Sequence, residues 1–152
     1  MSSLQSLDIA ARSATTTPSP LTVAQAIEVL KAIRHHDLGP FWVFLLATGC
    51  RFGEAAGLKW EDVDLETSTV WLGHAKAPIP KAFREPGEQT WEIDEMKTRS
   101  SQRPIPLTRF CVAALARQSE ILAELRQKQP RGRWTEHGLV FTSNVGTPLR
   151  DD

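Results

Sequence analysis

Arg51 is the residue whose position most needs a chemical reason. It stands in Thr48-Gly49-Cys50-Arg51-Phe52-Gly53-Glu54, directly after the apolar run Phe41-Trp42-Val43-Phe44-Leu45-Leu46-Ala47. Apolar residues followed by glycine read as a buried helix that stops, with a second short helix beginning near Arg51 and running to Leu58. A cation in the first turn of a helix opposes the helix dipole by roughly 0.3–1 kcal/mol, so Arg51 is not there for helix stability. Helix N-terminal N–H groups and a guanidinium fork both point donors at an oxyanion, and phosphate suits both. Glu54 follows Arg51 at the spacing that lets side chains meet on a helix. It reads either as a support for chemistry around Arg51 or as an ordinary acid stabilising the first turn.

A second cluster lies downstream. Residues 97–109 carry Lys97, Arg99, Arg103 and Arg109 with no acid, whereas residues 54–66 carry Glu54, Glu61, Asp62, Asp64 and Glu66 against Lys59 alone. The formal net charge of zero by itself argues weakly against a nucleic-acid partner, but this segregation permits one basic face on a neutral molecule. Thr98, Arg99, Ser100 and Arg103 could donate to phosphates, contacts that place a protein on nucleic acid without reading its sequence. Lys81 and Arg84, farther back in a long loop, are weaker candidates for the same work.

The remaining composition narrows the class. The chain has 152 residues, 41% hydrophobic and 24% charged, which suits one globular domain with a real core. No apolar run approaches a membrane span, and no secretory signal is evident at the N-terminus. Cys50 and Cys111 sit in apolar surroundings and read as reduced core thiols in a cytoplasmic protein. His35, His36, His74 and His137 lack metal-ligand spacing with cysteines or acids, so no metal site is expected. His35 and His36 instead suit the end of a helix. The five tryptophans are spread out and read as core or half-buried residues rather than a base-stacking platform.

Elements that must position these residues follow from periodicity. Residues 1–20, rich in Ser, Thr, Ala and Pro, read as a flexible tail or linker. Thr22 and Gln25 form a capping box opening a helix to about Arg34, with Val23, Ala26, Ile27, Leu30 and Ile33 on one apolar stripe. Asp37-Leu38-Gly39-Pro40 breaks it before the buried helix from Phe41. Three strands are expected at residues 67–72, 91–94 and 103–107, the last confined to an edge by Pro104 and Pro106. Residues 74–89, with Pro78, Pro80, Pro86 and Gly87, read as a long loop. Thr108 caps a helix to about Gln129, with Cys111, Leu115, Leu122 and Leu125 on one face, ended by Pro130. Leu139-Val140-Phe141 is a short apolar segment. The fold class is α+β: mainly helical, with a small antiparallel three-stranded sheet.

Residues 48–65, ending Ala55-Ala56-Gly57-Leu58-Lys59-Trp60-Glu61-Asp62-Val63-Asp64-Leu65, resemble the first conserved box of the tyrosine recombinase (phage integrase) family. Lys97-Thr98-Arg99-Ser100-Ser101-Gln102-Arg103-Pro104-Ile105-Pro106-Leu107 resembles that family's lysine-bearing β-hairpin. With the approach helix and Leu139-Val140-Phe141-Thr142, the resemblance covers roughly residues 21–150. It implies site-specific DNA strand exchange in the intact protein, with double-stranded DNA as partner and neither metal nor nucleotide as cofactor, because a phosphotyrosyl link conserves the bond energy. Arg51 matches the family's first catalytic arginine, Lys97 the lysine that protonates the departing 5′-hydroxyl, and Glu54 the acid supporting the site. Preorganised cations are what a phosphoryl-transfer transition state requires.

The chain contains no tyrosine. Its His137-Gly138-Leu139-Val140 is not the family's later His-x-x-Arg box, since position 140 is valine. That box and the nucleophile are expected beyond Asp152, so residues 21–152 read as a partial catalytic domain. Intact relatives work as tetramers on DNA, whereas this chain alone can be monomeric and is expected to be catalytically inactive. A non-catalytic DNA-binding module and an inactive truncated relic remain the alternatives.

Overall fold

The computed structural model describes residues 19–96 and 101–150. The expected tail up to residue 18 and the segment 97–100, which holds Lys97, Thr98, Arg99 and Ser100, lie outside the described residues. Helix α1 (Val23–Ile33) opens as its capping box requires: Thr22 Oγ1 accepts from the Gln25 N–H at 3.2 Å, and Gln25 Oε1 accepts from the Thr22 N–H at 2.9 Å. Its apolar stripe is only partly covered. No α1 residue is fully buried, and Val23 is 79% exposed.

Helix α2 (Gly39–Thr48) ends where Gly49 adopts φ 66° and donates its N–H to the Leu45 carbonyl at 2.9 Å. That left-handed cap is open to glycine without strain. The helix buries Phe41 and Phe44, while Trp42 and Leu46 are exposed. The expectation of a fully buried helix therefore holds for one face only. Phe41 meets Phe52 and Phe141 edge-on, with ring centroids 5.3 and 5.2 Å apart. This contact sets the start of the next helix against the core.

Helix α3 is short, Phe52–Ala56, with Arg51 as its extended N-cap residue. It sits unusually close to a strand. A Cβ on Gly57 would come within 2.7 Å of the Lys76 amide nitrogen, and one on Gly53 within 3.0 Å of the Lys76 carbonyl oxygen. Glycines four residues apart let the backbones of α3 and that strand approach without side chains between them.

Strands β1 (Val63–Asp64), β2 (Thr69–Leu72), β3 (His74–Pro78), β4 (Trp91–Glu95) and β5 (Arg103–Pro106) form two antiparallel sheets, β1-β2-β5 and β3-β4. In the first, Val70 pairs with Val63 and Ile105, and the proline-bearing β5 lies on an edge as expected. The turn before β2 is built by Asp64, whose carboxylate accepts from the Glu66 and Thr67 N–H groups. Two expectations are corrected. Residues 91–95 do not join the three-stranded sheet, whose third member is β1; they pair with residues 74–78, from His74 opposite Glu95 to Pro78 opposite Trp91. Residues 74–78 are thus a strand rather than the start of a loop. Their composition, His-Ala-Lys-Ala-Pro, carries no strand signal, and the conformation is imposed by pairing with β4 and packing on the α3 glycines.

Helix α4 (Arg109–Lys128) is capped by Thr108, whose hydroxyl accepts from the Cys111 N–H at 3.2 Å, and it buries Cys111, Leu115, Gln118 and Leu122. Gln118 was not expected in the core; its amide donates to the Val140 carbonyl at 2.9 Å, which meets the hydrogen-bonding demand of both buried groups. Val140 in turn donates to the Leu58 carbonyl, also at 2.9 Å, so the apolar segment 139–141 closes the core beside α3. A groove of about 960 Å³ runs between α1 and α4, lined by Ile27, Leu30, Phe110 and Leu125 among others. None of the five tryptophans is fully buried, and Trp42 and Trp71 are exposed. Among the described residues, no helix is long and apolar enough to cross a membrane.

Both cysteines are free and buried. Burial pushes the Cys50 thiol up, and it pushes the Cys111 thiol from 9.0 to about 11. The folded protein thus holds the Cys111 proton more tightly than the unfolded chain does. That stabilisation is complete below pH 9.0 and is lost as pH rises toward about 11. Equilibrium denaturation should show the unfolding free energy declining across this window, less steeply in Cys111→Ala. An equal decline in both proteins would refute the assignment. Separately, Gly57→Ala should destabilise the fold by about 1–3 kcal/mol, the usual cost of overpacking, because its methyl group meets backbone rather than a movable side chain. An unchanged melting temperature would show that α3 and β3 can separate freely.

Candidate functional site

The local fold presents Arg51 outward. Gly49 ends α2, Cys50 turns inward to the core, and Arg51 follows in extended conformation at an exposed position. Its guanidinium makes no hydrogen bond or ion pair with other described residues, which leaves its donors available. The helix after it has five residues, not the longer one expected, so little aligned dipole reinforces an anion there. Attraction of an anion rests on the Arg51 charge itself.

Glu54 points the other way. Only 5% exposed, it accepts a hydrogen bond at 3.2 Å from Arg103 Nη2 at the start of β5. Arg103 Nη1 donates to the Ser101 carbonyl at 2.8 Å. Glu54 therefore ties the short helix to the start of β5, and Arg103, expected from the sequence as a phosphate contact, spends two of its five donors internally. Burying the carboxylate demands such a partner, since an unpaired buried charge costs several kcal/mol.

The ends of the lysine-bearing segment are held at the same place. On one side the Met96 N–H donates to the Gly73 carbonyl at 2.9 Å; on the other, Gln102 Nε2 donates to the Met96 carbonyl at 3.1 Å. Residues 96 and 102 are thus tied to each other, and the next residue, Arg103, is tied to Glu54. Lys97, Thr98, Arg99 and Ser100 lie outside the described residues.

Two features escaped the sequence. Lys76 of β3 donates from Nζ to the Leu149 carbonyl at 2.7 Å, a contact spanning 73 residues that no local pattern announces. His74 Nδ1 lies 2.9 Å from Asp62 Oδ2, and Glu61, Asp62 and His74 bring three potential ligand atoms within 4.8 Å of one another. The histidine therefore does have acidic neighbours, contrary to the reading from spacing, because β3 folds back beside the 3₁₀ turn Trp60–Asp62. Glu61 is exposed and its carboxylate lies 3.9 Å from Lys59 Nζ, so the group reads as a surface charge network. His137 packs edge-on against Trp91, ring centroids 5.0 Å apart.

Removal of the buried carboxylate should be felt more than its surface exposure on the Arg103 side suggests. Glu54→Ala should lower stability by about 1–3 kcal/mol, reduced from the cost of a fully buried pair because Arg103 is partly solvated. Glu54→Gln, which keeps an acceptor, should lose less. Thermal denaturation decides this, and equal losses would mean that the charge contributes nothing.

The phage integrase family model matches residues 21–151. An integrase of Streptomyces ambofaciens is 35% identical over 133 residues, covering 85% of this chain and 32% of the relative. A XerC-like tyrosine recombinase of Caldanaerobacter subterraneus is 25% identical over 126 residues, covering 80% of this chain and again 32% of the relative. The chain thus spans about a third of the length of these two proteins. Among solved structures, the Tn1549 transposon integrase in complex with transposon right-end DNA superposes with a TM-score of 0.67 at 26% identity, over 90% of this chain and 42% of its own. The XerA recombinase superposes with a TM-score of 0.58 at 21% identity, which speaks for the fold alone. With its two motifs in order and the model matching nearly all of the described residues, the chain belongs to the phage integrase family.

Proposed function

We propose that this chain forms the first part of the catalytic domain of a site-specific DNA recombinase, one that integrates or excises a mobile element. The observation that supports this reading is an Arg51 guanidinium with no partner among the described residues, at the start of the short helix to which Arg103, just after the lysine-bearing segment, is tied through Glu54. In the reaction, a tyrosine hydroxyl supplied by the intact protein attacks the scissile phosphorus and the bond to the 5′-oxygen breaks. Arg51 binds the non-bridging oxygens, where charge accumulates. Lys97 gives a proton to the departing 5′-oxygen, and its flexible stem allows the ammonium to follow that oxygen. Glu54 holds the geometry. Thr98, Arg99, Ser100 and the remaining donors of Arg103 bind neighbouring phosphates.

Duplex DNA is the partner, as for the Tn1549 integrase, and such work belongs to the cytoplasm. The intact protein assembles as a tetramer on its DNA; the 152-residue chain acts as a monomer. A second reading, a DNA-binding module without chemistry, is favoured by the absence of tyrosine from the sequence.

Three outcomes test these readings. A suicide DNA substrate should give no denaturation-resistant adduct with the 152-residue chain, and an adduct would overturn the assignment of the nucleophile. Duplex affinity should fall steeply with salt, since each phosphate contact contributes about 0.9 to the slope of log K against log salt. Arg51→Ala should weaken binding on all sequences alike and flatten that slope by about one unit. Binding indifferent to salt and to Arg51 would remove the case for a phosphate site.

A further inference from the structure

Beside the start of α3, at Phe52 and Gly53, lies a cavity of about 540 Å³, walled by the β3–β4 hairpin and the segment 147–150. Three cations line it, Lys76, Arg84 and Arg150, together with the hydroxyl residues Thr90 and Thr147 and the ring of Trp91. No carboxylate lines it among the described residues. Lys76 is held in place by the Leu149 carbonyl. Arg84 Nε is buried and lacks a hydrogen-bond partner among the described residues. A buried N–H of a charged group without an acceptor is costly, and native structures rarely leave one so.

We infer that this cavity is a binding site for a phosphate-class oxyanion. The anion supplies the acceptor that Arg84 Nε lacks among the described residues and meets the positive charges of Arg84 and Arg150, while a guanidinium fork matches its oxygens in pairs. No helix terminus is required. The three cations come from positions 76, 84 and 150, so the site exists only in the folded chain. Because the cavity abuts the two residues after Arg51, a phosphate there would lie next to the one proposed for Arg51. That neighbour is most simply a second phosphate of the same DNA backbone. The owner of the phosphate rests on the recombinase reading; the binding of an oxyanion does not.

The test follows the Arg84 Nε–Hε resonance of the isotopically labelled 152-residue chain by NMR, so that Asp151 and Asp152 are present to compete. Titration uses inorganic phosphate in one arm and a short DNA duplex in the other. A saturable shift with the duplex alone assigns the site to backbone phosphate; a shift with inorganic phosphate that leaves duplex affinity independent of the pocket assigns it to the free ion. In either case Arg150→Ala, at an exposed position that the fold does not need, should weaken the response about tenfold, the loss of one charge-assisted hydrogen bond. For a backbone phosphate, Arg84→Gln should also flatten the salt slope of duplex binding by about one unit. No shift in either arm, or shifts indifferent to Arg150→Ala, would overturn the site. If Arg51→Ala alone weakens duplex binding, the recombinase reading survives and the pocket falls. If phosphate shifts Arg84 while the duplex never binds, the pocket survives and the recombinase reading falls.

Discussion

One buried carboxylate joins two stretches of this chain that are distant in sequence. Glu54 is withdrawn from solvent on a helix of five residues, and such a charge must find a cation or destabilise the fold by several kcal/mol. It finds Arg103, 49 residues away at the start of β5. That requirement brings the end of the basic segment to the helix that carries Arg51. The pair contributes little net stability of its own, since desolvation offsets most of the attraction. What it supplies is a fixed relation between two stretches of chain that carry the cations.

Close packing completes what the ion pair begins. The glycines at 53 and 57 let β3 press against α3, and Phe41 locks Phe52 from the other side. Arg51 is thereby left at an exposed position directly before this packed helix. The neutral total charge of the molecule hides a strong local asymmetry: Glu54 is consumed internally, while Arg51, Arg84 and Arg150 form no ion pair among the described residues.

Much of this was legible in the amino-acid sequence wherever the signal was local. The capping box at Thr22, the glycine stop at Gly49, the cap at Thr108 and the edge placement of the proline-bearing β5 each depend on residues a few positions apart, and each was found where expected. The motif around Arg51 was equally readable because its residue types conflict with helix stability alone. What escaped depends on distant pairing. Strand β3 has no strand-forming residues, so its partnership with β4 could not be read from periodicity. The same holds for Gln118 in the core, for the Asp62–His74 contact and for Lys76 reaching Leu149, all of which join segments that only the fold brings together. Whether Lys97 meets Arg51 lies outside the described residues.

Helix α1 is well made locally yet poorly anchored: its capping box is complete, but no residue on it is fully withdrawn from water. A helix of eleven residues is marginal by itself, so its persistence depends on the few contacts it makes with α2. Its amide hydrogens should accordingly exchange by local opening, well before those of α4 report the opening of the core. Among the described helices α1 is thus the one least held by the core, so its opening need not disturb the packing around Glu54 and Arg103.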